Sequence, residues 1–235
     1  MRDTSRMFCA ACLWLFAAAS VAQEATNSDN WEGLVSVVPK KIDALALMPG
    51  ADFRPYRKLI LEPATIAFQK DWMTRTSRAS LAEHVGQEEA EEIAAAVREN
   101  FTEVFTETFR KAGYEIVAAP GADVLQVRAG IVDLYLAAPD SRQSGRGRTF
   151  TLEAGEATLF LEARDSTSGA LLGRGLDRRK TRNTGRLMIA NRATNRAEFR
   201  LLFQQWADIV VAGLANLREV SPIPADLKPG QKLAP

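Results

Sequence analysis

Few residue types in this 235-residue chain are suited to chemistry, and they are unevenly placed. Its two cysteines, Cys9 and Cys12, form a C-x-x-C pair inside "RMFCAACLWLFAAASVAQEA". That spacing suits a redox dithiol beside a βαβ unit, or half of a zinc site with a second ligand pair elsewhere, and neither context accompanies it. The sole histidine, His84, lies in "RASLAEHVGQEE" near Glu83, Glu88 and Glu91. A metal centre needs several converging ligands, so these glutamates read better as the charged start of a helix. One histidine without a nucleophile elbow gives no Ser-His-Asp arrangement. "QSGRGR" and "LLGRGL" are glycine-rich but lack the spacing and the following Lys-Ser/Thr of a phosphate-cradling loop. No catalytic, cofactor-binding or metal-binding residue is assigned from these patterns, and no cofactor is expected.

Arginine is the better lead. Guanidinium groups hold phosphate and carboxylate in bidentate fashion. Arg142, Arg146 and Arg148 crowd the loop "SRQSGRGR", and Arg178, Arg179, Lys180 and Arg182 follow in "LDRRKTR". Residues 174–200 carry nine basic groups against Asp177 and Glu198. Residues 83–107 are the counterpart, with eight glutamates against Arg98. The two blocks can pair within the fold, pair between protomers, or face different partners. The arginine-rich segment is the candidate surface for an anionic partner, with a solvated face as the plain alternative.

The first residues set the compartment. Arg2 and Arg6 precede an uncharged run from Met7 to Val21, and Ser20-Val21-Ala22 puts small side chains at its exit. These are the parts of a secretory signal peptide, with cleavage expected between Ala22 and Gln23. The run falls below the ~20 residues that cross a bilayer core as a helix. A lipid-attachment signal at Cys12 would need an aliphatic residue where Cys9 stands, and the hydrophobic "LWLF" follows rather than precedes it. Removal of residues 1–22 leaves a chain without cysteine and with 28 basic and 28 acidic groups. Such a chain has no disulfide, no transmembrane helix and no net charge to attract nucleic acid. The expected location is the periplasm, in soluble rather than lipid-anchored form.

The elements that must position these groups follow from periodicity. Ile93, Val97, Phe101, Val104, Phe105 and Phe109 recur at helical spacing, with glutamates in the first turns, Arg110 and Lys111 at the end and Gly113 as the stop. Phe199, Leu202, Phe203, Trp206, Ile209, Val210, Leu214 and Leu217 form a second stripe, with Asn195 and Glu198 at capping-box spacing ahead of it. Between the stripes the period changes to two. "YRKLILEPATIAF" reads as a strand interrupted at Pro63. "DVLQVRAGIVDLYLAAP" and "RTFTLEAGEATLFLEA" change phase at Gly130 and Gly155, where bulges are expected. "RDSTSGALL" is a hairpin turn with Gly169 at its positive-φ position, and "ALLGRGLDRRKTR" returns as the next strand. The class is α+β: a mixed, mostly antiparallel sheet with two amphipathic helices packed on one face. The expected organisation is a signal peptide (1–22), an extended N-terminal segment (23–52), a single αβ domain (53–220) and a Pro-rich disordered tail (221–235).

"WEGLVSVV", "PGADFRPYRKLILEPATIAF", "GADVLQVRAGIVDLYLAAP", "EATLFLEARDSTSGALLGRGLDRR" and "AEFRLLFQQWADIVVAGL" occur in this order. Together they resemble the domain of unknown function 3313 family of bacterial envelope proteins, many of which look like lipoproteins. The resemblance implies an envelope role and supplies no catalytic residues. With the exported leader, it makes a non-catalytic binding or accessory module of the envelope the leading expectation. Two alternatives stand beside it: a hydrolase or metal-dependent enzyme centred on His84, and a homo-oligomeric structural protein joined through the two charged blocks, which salt would dissociate.

Overall fold

A computed structural model describes residues 33–74, 86–136, 150–151, 155–181, 188–189 and 192–233. The cleavage pair Ala22 and Gln23 and the cysteines lie outside these residues, as does His84.

The centre of the fold is β6 (Val124–Leu136), the longest described strand. On one side it pairs antiparallel with β8 (Gly155–Asp165), which pairs antiparallel with β9 (Leu171–Lys180). β2 (Ala44–Leu47) and β1 (Val35–Val37) continue that side as a hairpin on β9. On the other side β3 (Lys58–Leu61) and β4 (Thr65–Phe68) run parallel to successive stretches of β6, and β5 (Glu115–Ile116) adds to β3. The result is a mixed, mostly antiparallel eight-stranded sheet. A separate two-stranded pair joins β7 (Phe150–Thr151) to β10 (Met188–Ile189). The break between β3 and β4 coincides with Pro63, which has no amide to donate to β6.

The expected bulge in β6 sits elsewhere. Gly130 stays in register opposite Phe160, and the shift falls between Val132 and Tyr135, where Asp133 takes a positive φ of 52°. Before it, Leu125, Val127, Ala129 and Ile131 enter the main core; after it, Leu134 and Leu136 rejoin them. Val132 is left on the opposite face with Phe160 and Leu176. Gly130 has a steric role instead: a Cβ there would stand 2.8 Å from the Thr65 carbonyl oxygen. Gly155 opens β8 rather than interrupting a longer strand. The β8–β9 turn forms as expected, with Gly169 at φ +71° and four donors from Thr167 and Ser168 converging on Asp165 Oδ1.

Two long helices cover one face. α1 (Gln87–Lys111) begins with Glu88 and Glu89 and ends with Arg110 and Lys111, each charge suiting the helix dipole. α2 (Arg192–Val220) starts before Asn195, so Asn195 lies inside the helix rather than capping it. Phe101, Phe105 and Phe109 of α1 and Phe199, Phe203 and Trp206 of α2 are buried together. Phe101 meets Phe203 edge to face at 5.3 Å between ring centroids. Gln204 donates to Thr108 at 2.9 Å across the helix pair.

The segment after α2 is not a loose tail. Ile223 and Leu227 are buried. Phe53 N donates to Ser221 Oγ, Gly50 N to Ile223 O, and Ile223 N to Ala51 O. Farther on, Val38 N donates to Gln231 O, and Gly230 N to Ser36 O. Prolines suit such a segment because it passes through turns, with Leu227 N donating to Pro224 O and Gln231 N to Lys228 O, and bonds only through the amides that remain.

Candidate functional site

Arg178 and Arg179 sit on β9 with carboxylates already in hand. The Arg178 guanidinium donates to Glu156 at 2.7 Å, and its backbone N–H donates to Asp43 at 2.7 Å. Arg179 Nε donates to Asp177 at 2.6 Å and its Nη2 to the Lys41 carbonyl at 3.0 Å. Lys180 is also engaged. Arg142, Arg146, Arg148 and Arg182 lie outside the described residues. The acidic and basic blocks meet within the fold at Arg200, which donates to Glu103 at 3.0 Å and lies 4.0 Å from Glu107.

The most enclosed charge cluster is on the sheet face away from the helices. Glu162 is 3% exposed and accepts from Arg164 Nε at 2.6 Å and Arg174 Nε at 2.7 Å. Burial pushes its carboxyl pKa up, but the two arginine hydrogen bonds and their charges outweigh this and hold it below the ordinary value. Beside it, Glu62 accepts from Gln126 and Arg128. Every charge in this cluster has an intramolecular partner, so its arrangement is structural. Among the described residues no group of three or more His, Cys, Asp or Glu is placed to hold a metal ion.

A feature with room for a ligand and an apolar lining lies on the helix-covered face. A cavity of about 320 Å³ opens between the C-terminal half of α2 and the sheet from β1 to β6, at the lower end of the ~300–1,000 Å³ typical of small-molecule sites. Its floor is β9, where Gly173 and Gly175 alternate with Arg174. Successive strand residues point to opposite faces, so the glycines face the helix while Arg174 turns away to Glu162. A Cβ at Gly173 would stand 2.9 Å from Leu47 Cδ2, and one at Gly175 3.1 Å from Ile42 Cδ1. The missing side chains thus let the aliphatic residues of the neighbouring hairpin lie over the strand. The roof is the helix, where Gly213 falls on the same stripe as Val210, Leu214 and Leu217. A Cβ at Gly213 would touch nothing within 4 Å. One end of the cavity is the β1–β2 loop, which places exposed Lys40 and Lys41 on the lining. That loop is fixed to β9 by the Arg179–Lys41 and Arg178–Asp43 hydrogen bonds.

Sequence reasoning does not find this site, although two signals of it are present. One is the pair of glycines on one face of a strand; the other is a helix stripe with glycine in place of an aliphatic residue. "LLGRGL" carries nothing as a phosphate loop, and as a strand segment its meaning is steric.

A family model described as "Protein of unknown function (DUF3313)" matches residues 39–210. No curated protein matches the chain. Among solved structures, a PelC dodecamer from Paraburkholderia phytofirmans is 8% identical, with 71% of this chain and 95% of that chain covered, at a TM-score of 0.36. A minor lipoprotein from Acinetobacter baumannii is 13% identical, covering 68% of this chain and 94% of that one, at 0.30. A putative neuraminyllactose-binding hemagglutinin homolog from Helicobacter pylori is 9% identical, covering 74% and 92%, at 0.35. At these scores the likenesses carry no argument about this chain.

Proposed function

We propose, for a chain that belongs to the DUF3313 family of proteins of unknown function, the role of a non-catalytic binding module of the bacterial cell envelope that holds an apolar ligand in the cavity beneath α2. The carrying observation is the cavity itself. Leu45, Leu161, Val210 and Leu217 give it a mostly aliphatic lining, and Gly213 leaves open space that a larger helix residue would enter. Burying an alkyl ligand there gains roughly 25 cal/mol per Å² of apolar surface removed from water. The signal-peptide pattern before Gln23 supports action in the periplasm. The cavity lies on the side of the sheet opposite the Glu162 charge cluster, so binding requires no desolvation of that network.

The test is titration of the purified mature protein with the neutral fluorescent reporter N-phenyl-1-naphthylamine. Saturable, one-to-one enhancement that is lost in Gly213→Leu supports the reading. Gly213→Leu favours the helix and directs its side chain into open space, so its fold is checked by circular dichroism. Absence of saturable binding by the wild-type chain overturns it.

A further inference from the structure

The cavity is aliphatic along its length and cationic at one end, and this asymmetry specifies a ligand class. We infer that its occupant is a single acyl chain ending in an anionic head, with the chain beneath α2 and the head at Lys40 and Lys41; this rests on the cavity-binding reading above.

The apolar half of the inference comes from the walls. Among the described residues, Phe53 is the one aromatic on the lining. The polar side chains of Glu162 and Arg174 bond each other on the far face of the sheet. Besides these and the two lysines, Asn216 is the polar side chain on the lining among the described residues, so the cavity offers few polar partners to a ligand with heteroatoms along its body, whereas a hydrocarbon chain needs none. At about 320 Å³, the space is at the small end for ligand sites, which favours one chain over two.

The anionic half comes from the end. Pro39, Lys40, Lys41 and Ile42 all border the cavity, and both lysines are exposed, so their flexible side chains can bring ammonium groups to a head at this end. Arg178 and Arg179 are poorer candidates for the head, because Glu156 and Asp177 already occupy their guanidinium groups. Asp208 sits with Lys41 in a neighbouring shallow depression but does not line the cavity. Long lysine stems can lie along the apolar lining while the charged tips remain hydrated. A carboxylate and a phosphate monoester share the required chemistry, and the experiment separates them.

The mature protein, loaded with the neutral reporter at low ionic strength, is titrated with dodecanoate, dodecyl phosphate and dodecanol, all below their aggregation concentrations. The expected result is displacement by an anionic amphiphile at roughly threefold to tenfold lower concentration than by the alcohol, as two exposed charge contacts allow. The more effective anion identifies the head as carboxylate or phosphate. In Lys40→Glu/Lys41→Glu the advantage of anion over alcohol, each measured by displacement of the reporter from that same variant, should vanish. Added salt should shrink the advantage in the wild type. Equal displacement by anion and alcohol, or an advantage that survives the double substitution, overturns the inference and leaves the cavity reading intact. Failure of the reporter to bind overturns the cavity reading itself.

Discussion

The N-terminal half of α2 presses Phe199, Phe203 and Trp206 into the space above the sheet, where Phe203 and Trp206 are fully buried, Phe203 meets Phe101 of α1 and Trp206 stacks on Phe203. The C-terminal half of the same helix crosses the same sheet and leaves a cavity. The first region is filled by the helix's aromatic side chains, which reach down to the sheet at Gly155, where a Cβ would stand 3.2 Å from Phe199 Cζ. The second has Gly213 above and Gly173 and Gly175 below, with aliphatic residues between. Protein interiors normally close-pack, and unfilled volume forfeits dispersion and transfer energy. The contrast therefore assigns the two halves different work: one holds the domain together, and the other tolerates an unfilled space.

The sharpest way to break this comparison is to truncate matched positions. Trp206→Ala should cost about 4 kcal/mol, because a fully buried indole leaves a hole the aromatic cluster cannot close. It also removes the Nε1 hydrogen bond to Asp177 at 2.7 Å. Ile209→Ala, one turn on and beside the cavity, should cost about 1 kcal/mol, since that side chain is only partly removed from water. Urea unfolding midpoints measure both, and equal losses would show that the halves do not differ.

A smaller effect is expected on the opposite face of the sheet. Glu162→Gln leaves Arg174 facing a neutral partner in an enclosed setting, with an expected loss of about 3 kcal/mol. The pH dependence has a definite sign. Folding holds Glu162 below its reference pKa of 4.5, so its contribution is fully present above that value. It is lost as pH falls through the depressed folded pKa. Stability measured from pH 6 downward should therefore fall more steeply in the wild type than in Glu162→Gln. Parallel curves would remove Glu162 from the account of acid sensitivity.

The smallest effect has the opposite direction. Gly213→Ala should stabilise the chain by about 0.5–1 kcal/mol, because a helix-interior glycine loses backbone entropy and no close contact here requires it. The same substitution should weaken reporter binding by narrowing the roof. Stabilisation together with weaker binding would sharpen the division of labour; unchanged binding would detach Gly213 from the cavity.

Much of the architecture is legible because it rests on local periodicity. The stripes ending at Phe109 and Leu217, the break at Pro63 and the turn at Gly169 are each visible within about twenty residues of sequence. The bulge is not, because Gly130 is the permissive residue while the register requires Asp133 to take the positive φ. The segment after α2 escapes for a related reason: its prolines describe the backbone and not the docking of Ile223 and Leu227. The cavity is illegible on other grounds. It is a shortage of atoms shared among β1, β2, β9 and α2, and no single window of sequence contains it.

The way the chain returns after α2 bears on solubility. In the described sheet β1 lies at one end of the strand order, and Val37 forms a parallel bridge with Gln231. An open strand edge is a template on which other chains can add, and natural proteins cover such edges. The hydrogen bonds from Val38 to Gln231 and from Gly230 to Ser36 do so here, using backbone laid down last. A chain cut short after Val220 would thus offer an unpaired edge beside an uncovered apolar surface, and its failure would be seen as aggregation before any loss of ligand could be measured.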